Sequence, residues 1–299
     1  MASGCYWLSV IRSIEKSVKC MVLTSSFAPV SVIIPCFRCT PTIARAIESV
    51  VHQTYPAAEI ILVDDDSGDG TIDILNQYKK KYPDQVKIVS VSKNGGAGSA
   101  RNRGWAIATQ SYIAFLDADD SWHADKLRIQ CAYMTNNPKT VLCGHKWMMV
   151  SAGEGVRDLS YKWTVSPIDP SLALFKNPFA TSTMMLARDL PFRFEEGMRN
   201  AEDLLLWLRI LFAGFSAVRL EVPLGFVYKP LYGSAGLSQD LWKMEKGELA
   251  CFGKLRRSGI LNLPLFYLSS LFSVLKYLKR LIDVSISRRP LKAPAKNIT

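Results

Sequence analysis

Three carboxylates, Asp117, Asp119 and Asp120, stand within four positions directly after the apolar run 112–116. An apolar run that ends in acid is typical of a buried strand reaching an open edge of its sheet, where α/β proteins hold ligands. Clustered carboxylates are costly unless a cation joins them, and oxygen ligands suit Mg²⁺ or Mn²⁺ with phosphate oxygens in the open positions. The stretch predicts a metal-diphosphate site. The alternative is a solvated acidic turn in which an Asp caps a helix beginning near Ala124.

A second acidic pair, Glu202 and Asp203, opens the segment 201–212, whose only other charged residue is Arg209. Such a segment predicts a buried helix whose first-turn carboxylates face a cleft. A carboxylate there can take the proton of an attacking hydroxyl group, so Asp203 is a candidate general base. The alternative is an acidic first turn that only complements the helix dipole.

A glycine-rich loop, residues 93–104, contains Gly96, Gly98 and Arg101. A dinucleotide-binding fingerprint would follow the first strand, whereas this loop follows the third, and Arg101 stands where the third glycine belongs. A dehydrogenase is therefore excluded. We expect backbone N–H groups of the loop, together with Arg101, to approach an anion.

Apolar runs alternate with helical patterns from residue 30 onward. Predicted strands cover residues 30–35, 59–63, 86–91 and 112–116, with helices between them. Strand and helix in alternation predict an α/β fold with a mostly parallel sheet flanked by helices.

The chain has 299 residues, 48% of them hydrophobic, which is enough for a large core with or without an appendage. Its seven cysteines show no disulfide spacing, and their odd number without a secretion signal indicates a reducing compartment. Cys36 and Cys39 form a C-x-x-C pair, but a zinc site needs a second pair. We interpret these two cysteines as small residues around a strand end.

We expect three regions along the chain: an N-terminal extension without assigned function (1–28), the main domain (29–240) and a basic tail (241–299). The tail carries +9 of the total net charge of +11. Its apolar part, Leu261 to Ile282, is interrupted by Pro264 and is shorter than the ~20 apolar residues that a membrane span needs.

Two interpretations of the tail stay open. It forms an amphipathic helix that lies on an anionic membrane surface, or it forms a helix packed on the body with a basic end. Nucleic acid is not expected as a partner, because the aromatic residues lie in the apolar run and are not interleaved with the basic ones.

Six short motifs stand in an order and spacing that resemble a known family, the family 2 inverting glycosyltransferases of GT-A fold, of the bacterial surface-polysaccharide type. Each motif is weak alone, and the set together is specific. The resemblance covers roughly residues 30–239, and its motifs are Val32–Pro35, Gln53–Pro56, Val63–Thr71, Asn94–Gly104, Phe115–Asp120 and Glu202–Arg209.

The resemblance implies a GT-A type, Rossmann-like sheet with a helical basic appendage, and it assigns roles to single residues. Asp203 is the implied general base, and Asp119 is the more direct ligand of Mn²⁺ or Mg²⁺, assisted by Asp117. Glu202, Lys229 and Tyr232 are candidates for contacts with the diphosphate or the acceptor. The implied nucleotide-binding residues are Pro35, Phe37, Asp65, Asn94, Arg101, Asp117 and Ala118.

Two positions depart from the family pattern. Phe37 and Arg38 stand where the family usually has Tyr-Asn, so stacking on the base is kept and a polar contact is lost. Asp66 replaces a usual glycine, and Asp is one of the few residues that tolerate a positive φ angle.

The resemblance implies transfer of a single hexose from a nucleotide-sugar, since the Q-x-x-R-W signature of processive relatives is absent. UDP is the expected nucleotide because Asp65 can accept from a uracil N–H group. We expect a glycan acceptor, polyprenyl-linked, at the cytoplasmic face of the inner membrane. The alternatives are a catalytically silent relative that binds a glycan or nucleotide, and a sugar-nucleotidyltransferase, although Cys36–Pro41 is not the nucleoside loop of the latter.

Overall fold

The computed structural model of the chain describes residues 26–150, 163–228 and 239–287. Within these residues one sheet of nine strands runs in the order β3-β2-β1-β4-β8-β6-β9-β5, with β7 paired to β9. The strands are β1 (Ala28–Cys36), β2 (Ala57–Asp64), β3 (Val86–Ser90), β4 (Tyr112–Phe115), β5 (Ser121–Trp122), β6 (Thr140–Met149), β7 (Val165–Pro167), β8 (Met185–Ala187) and β9 (Ser216–Val227).

Helices cover both faces of this sheet, as expected for strands that are apolar on both sides. The helices are α1 (Ile43–Val51), α2 (Thr71–Lys81), α3 (Ala97–Ile107), α4 (Lys126–Asn136), α5 (Pro170–Ala173), α6 (Glu202–Phe212), α7 (Leu241–Arg257) and α8 (Leu263–Ser287). One core cluster contains the buried residues of α1 and α4, and the other contains those of α6 and α7 with Trp105 of α3.

The first four strands are parallel, which confirms the α/β fold predicted from the alternating pattern. In the register of the sheet, Cys36 lies opposite Asp64, and Asp64 lies opposite Ser90. Ile33 lies opposite Phe115 on the other side of β1. The chain segments that follow β1, β2 and β4 therefore leave the sheet at one common edge.

The second half of the sheet was not predicted. Strand β8 is antiparallel to both β4 and β6, and β9 pairs with β6 in parallel and with β5 and β7 in antiparallel orientation. Strands of two or three residues leave no periodicity in a sequence. Helix α4 also begins later than expected, at Lys126, because β5 occupies Ser121 and Trp122.

The C-terminal region differs from its prediction at Pro264. This proline stands in the first turn of α8 and does not interrupt the helix, because the first turn needs no N–H from that position. Helix α7 belongs to the core through Cys251, Phe252 and Leu255. Over the part of the chain that the structure describes, no helix combines the length and apolarity that crossing a membrane requires.

Gly104 marks a close approach between α3 and the sheet. A Cβ atom there would lie 2.6 Å from Ile33 Cγ2 and 3.2 Å from Val63 Cγ2. Because both neighbours are fully buried, Gly104→Ala is expected to lower the free energy of unfolding by about 1–3 kcal/mol. Urea denaturation measures this change.

The matched control is Gly253→Ala in α7, where the new Cβ would meet only Arg257 Nη1 at 3.6 Å. Alanine is the better helix former, so this variant is expected to be more stable by about 0.5–1 kcal/mol. If Gly104→Ala and Gly253→Ala changed the free energy of unfolding equally, the close contact between α3 and β1 would not be what requires a glycine at position 104.

Candidate active site

The buried guanidinium group of Arg101 joins the two acidic sites predicted from the sequence. Arg101 lies in α3, and its Nη2 donates to Asp117 Oδ1 at 2.5 Å, while its Nη1 donates to Glu202 Oε1 at 3.4 Å. Its Cζ also lies 5.3 Å from the ring centroid of Phe194. Since Arg101 is only 4% exposed, these charges interact at a low effective dielectric. The acidic turn after β4 and the N-terminus of α6 are thereby held side by side.

Protein hydrogen bonds shape the acidic turn itself. Ser182 Oγ donates to Asp120 Oδ2 at 2.6 Å and accepts from the Asp117 N–H group at 3.1 Å. Arg45 Nη2 donates to the carbonyl oxygen of Asp119 at 2.6 Å. Asp120 is buried, whereas the side chain of Asp117 is 34% exposed and Asp119 is half-buried. The turn thus presents Asp117 and Asp119 toward the edge and uses Asp120 internally.

The donor set at this edge fits a divalent cation that arrives with a phosphate ligand. Among the described residues, no three His, Cys, Asp or Glu side chains group closely enough to form a metal site of their own. Mg²⁺ is usually held by one or two carboxylates together with substrate phosphates. Asp117 and Asp119 are the two carboxylates that could hold such an ion, so the residues present fit a site shared with a phosphate and not an all-protein cage.

The helix that carries Asp203 begins directly after a strained residue. Ala201 has left-handed backbone angles, φ 58° and ψ 20°, and α6 begins at the next residue. Asp203 Oδ1 accepts from the Leu204 N–H group at 2.7 Å, and Oδ2 accepts from Thr181 Oγ1 at 3.4 Å and from Asn177 Nδ2 at 3.5 Å. A carboxylate held from several sides in this way is oriented for proton transfer.

Burial changes the acidity of both first-turn carboxyl groups. Loss of solvent raises the pKa of Asp203, although the Leu204 N–H group and Arg101 oppose this rise. Burial and the neighbouring Asp203 carboxylate raise the pKa of Glu202 to about 7. The two interacting carboxyl groups titrate as a pair. Because its pKa is raised, the Asp203 carboxylate is a stronger base than that of an exposed aspartate.

The glycine-rich loop holds an anion, but the anion is the protein's own. The N–H groups of Gly95 and Gly96 donate to Asp65 Oδ1 at 2.9 Å and Oδ2 at 2.8 Å. Gly98 has a packing role, because a Cβ there would lie 3.0 Å from Glu202 Cγ. The loop therefore couples the end of β2 to the start of α6.

The other predicted nucleotide-binding residues lie along the same edge. Phe37, directly after β1, is 46% exposed, so its ring is accessible for stacking, while Asp65 is 3% exposed. Asn94 Nδ2 donates to the carbonyl oxygen of Asp65 at 2.9 Å. Pro35 is the next-to-last residue of β1, and Ala118 is buried within the acidic turn. Their contacts with a nucleotide stay predictions.

The backbone of the loop after β2 confirms one inference from the sequence. Asp66 adopts a φ of 61°, as expected for an Asp that replaces a glycine. Arg38 also has a positive φ of 47°, and its N–H and Nε groups bond to Ser67. Two of the residues that depart from the family pattern, Arg38 and Asp66, thus lie in strained backbone positions.

Several residues that shape the site were not predicted. Ser182, Thr181 and Asn177 come from the region where no motif was recognised, so the sequence carried no signal for them. Arg199 bonds to the Asn94 carbonyl oxygen at 3.1 Å and lies against Gly96. Lys229 and Tyr232 lie outside the described residues.

The fold is that of the GT-A glycosyltransferases, as comparison with solved structures shows. The structure of Staphylococcus aureus TarS residues 1–349 with UDP-GlcNAc matches with a TM-score of 0.61 and 20% identity, covering 76% of this chain and 66% of that chain. The mannosyltransferase PcManGT from Pyrobaculum calidifontis, in complex with GDP-Man and Mn²⁺, matches with a TM-score of 0.63 and 17% identity, covering 95% and 84%.

Residues 31–189 match the sequence profile of Glycosyl transferase family 2, and the chain belongs to this family. It is a glycosyltransferase. The putative teichuronic acid biosynthesis glycosyltransferase TuaG of Bacillus subtilis is 31% identical over 229 residues, 76% of this chain and 88% of the relative. The Escherichia coli enzyme WfaP, a UDP-Glc:alpha-D-GlcNAc-diphosphoundecaprenol beta-1,3-glucosyltransferase, is 31% identical over 195 residues, 63% of this chain and 72% of the relative.

The raised pKa of Glu202 predicts a feature in the pH dependence of turnover. The candidate base Asp203 works deprotonated, so activity falls as the pH drops through its raised pKa. Because burial and the Asp203 charge raise the pKa of Glu202 to about 7, Asp203 ionises first and Glu202 gains its charge near pH 7. Glu202→Gln keeps that position neutral, so it is expected to leave the acidic limb of kcat/KM in place and to remove the change in kcat/KM near pH 7.

A kcat/KM profile of sugar transfer against pH measures both features. Asp189→Asn is the control, because this exposed side chain pairs with Arg188 and lies outside the site. A change in kcat/KM near pH 7 that persists in Glu202→Gln would contradict the coupling.

Proposed function

We propose that the chain is an inverting, metal-dependent and non-processive glycosyltransferase that moves a hexose from UDP-hexose to a lipid-linked glycan acceptor in surface-polysaccharide synthesis. The observation that carries the proposal is the Arg101 bridge between Asp117 and Glu202, which keeps the acidic turn and the base side by side. The alternative is a catalytically silent relative that binds a glycan or nucleotide, while a sugar-nucleotidyltransferase is not supported by the family assignment.

The reaction assigned to these residues is a single in-line displacement. The Asp203 carboxylate removes the proton from the acceptor hydroxyl group while that oxygen attacks the anomeric carbon. The nucleoside diphosphate departs on the side of Asp117 and Asp119, so the configuration at the sugar carbon inverts. Mn²⁺ or Mg²⁺ held by those two carboxylates would neutralise the charge on the leaving diphosphate.

Arg101 has a positioning role in this scheme. It binds carboxylates of both halves of the site, so a change at the acidic turn is felt at Glu202 and thus at its neighbour Asp203. The guanidinium charge also limits the like-charge repulsion between the diphosphate side and the base side, which otherwise would oppose closure of the site.

The identity of the nucleotide is supported by the end of β1 and β2. The exposed Phe37 ring offers a stacking surface, and Asp65 lies beside it at the same edge. Both carboxylate oxygens of Asp65 already accept from Gly95 and Gly96, so a uracil N–H group would have to use a remaining lone pair. TarS, a structural neighbour, has been crystallised with UDP and with UDP-GlcNAc. PcManGT instead holds GDP-Man, so the nucleotide must be tested directly.

The acceptor class is supported by the relatives. WfaP is named for transfer to GlcNAc-diphosphoundecaprenol, and TuaG for teichuronic acid synthesis. A polyprenyl-linked acceptor would require this enzyme to work at the cytoplasmic face of the inner membrane, as a peripheral protein.

Nucleotide binding tests the donor side of the site. In calorimetric titrations with UDP, GDP, CMP and dTDP, we expect UDP to bind with Mn²⁺ present and more weakly without it, since its diphosphate needs the cation on Asp117 and Asp119. Asp119→Ala is expected to abolish the metal-dependent part. Asp189→Asn, an exposed acid away from the site, is the control. A lack of binding for every nucleotide would favour the silent relative.

Replacement of the base tests the acceptor side separately. Asp203→Asn is expected to bind UDP like the unmodified protein and to lower kcat by about 10²–10⁴-fold, since only proton abstraction is lost. Nuclear magnetic resonance of the product anomeric proton, with an α-linked UDP-hexose, should show a β linkage. A retained α configuration would refute the inverting mechanism, and full turnover of Asp203→Asn would refute Asp203 as the base.

A further inference from the structure

Helix α8 exposes its apolar side, whereas an ordinary surface helix buries it. The solvent side of α8 carries a continuous apolar stripe, which we call the outer face. Leu271 and Leu275 at its centre are 60% and 55% exposed. The outer face comprises Tyr267, Leu268, Leu271, Leu275, Leu278 and Ile282, spaced by three or four residues so that they share one side of the helix.

The side of α8 that faces α7 is polar. Ser269 and Ser273 are 1% and 0% exposed, and Glu248 of α7 is 8% exposed. Lys276 Nζ forms an ion pair with Glu248 Oε1, and Arg280 Nη2 lies 3.8 Å from Glu248 Oε2. Rolling the helix to bury its leucines would break these partly buried pairs and leave Glu248, which is 8% exposed, without its cations. The charges therefore fix the outer face toward solvent.

We propose that the outer face docks this enzyme on an anionic lipid surface. The tail that contains α8 has a net charge of +9 from twelve Lys and Arg and three acidic residues, so anionic headgroups attract it. A helix with a leucine-rich face and flanking cations lies in the plane of a membrane interface. Self-association through this face would bring two +9 segments together, which charge repulsion opposes.

The docking helix is connected to the chemistry through α7. Gly247 of α7 lies against the turn before α6, where an added Cβ would stand 2.6 Å from Asn200 Cβ. Lys254 Nζ bonds to Glu195 Oε1 at 2.8 Å, and Arg209 Nη1 bonds to Glu195 Oε2 at 2.7 Å. If the proposed lipid-linked acceptor is correct, docking brings the Asp203 helix to the surface that carries the acceptor. The docking itself does not depend on that function.

Vesicle sedimentation of the full chain tests the proposal. Vesicles of phosphatidylcholine alone are compared with vesicles that also contain phosphatidylglycerol, at low and high salt. We expect binding only to the anionic vesicles and weaker binding in high salt, because salt screens the headgroup attraction. The double variant Leu271→Glu, Leu275→Glu is expected to bind the anionic vesicles at least about tenfold more weakly, since it places two charges in the apolar stripe.

The matched control carries Ile107→Glu and Leu172→Glu together, which adds the same two charges on α3 and α5, where these side chains are 41% and 68% exposed. It is expected to bind vesicles like the unmodified chain. Thermal melting by circular dichroism shows that each variant folds. UDP binding is measured in parallel, so a failure of the donor site is distinguished from a failure of docking.

Three results would overturn the proposal. The first is no sedimentation with either vesicle, and the second is equal sedimentation of the double variant and the unmodified chain. The third is light scattering that shows a dimer dissolved by the double substitution without any vesicle binding, which would make the outer face a contact between two copies of this chain.

Discussion

The ion pairs of Arg101 are the interaction on which the rest of the site depends. Asp117 and Glu202 are 85 positions apart in the chain, and both bond to one guanidinium that is 4% exposed. Without this cation, two carboxylates would face each other at low dielectric, and loss of one partner from such a buried group typically costs about 3–5 kcal/mol. The bridge therefore makes the acidic turn and the N-terminus of α6 one structural unit.

Small residues in α3 allow Arg101 to reach both partners. Gly104 lets the helix approach β1, and Gly98 leaves room for Glu202 and Phe194, since an added Cβ would lie 3.0 Å and 3.3 Å from them. Arg101 lies between these two glycines on the same helix. The glycine-rich motif, which resembles an anion-binding loop in the sequence, thus also allows close packing. Gly98 and Gly104 are needed there because a larger side chain would clash with neighbouring residues.

The sequence predicted what strands and motifs encode locally. The parallel strands up to β4, the buried α6 and the positive φ of Asp66 follow from apolar runs and from residue conformational preferences. Contacts such as Ser182 to Asp117 join residues 65 positions apart and leave no periodic trace. The bonds from Gly95 and Gly96 to Asp65 were missed for the same reason.

The orientation of α8 was also beyond the sequence. Its pattern of apolar residues predicts an amphipathic helix, and the default inference is that the apolar side faces the core. In α8 the apolar side faces solvent instead, because Lys276 on the other side pairs with Glu248 of α7. The sequence pattern shows that the helix has an apolar and a polar side, and the ion pair with α7 determines which side faces the protein.

Burial of the two carboxyl groups at the start of α6 affects both their basicity and the free energy of unfolding. A pKa of about 7 for Glu202, against an ordinary value of 4.5, costs the ionised form about 3 kcal/mol in the folded protein. Between these two pH values the folded chain keeps a proton that the unfolded chain releases, so this group's contribution to the free energy of unfolding falls as the pH rises through that window. The burial of this first turn, which also raises the pKa of the proposed base Asp203, therefore weakens the fold at neutral pH. Arg101 limits both effects, because its charge favours the ionised form of each carboxyl group.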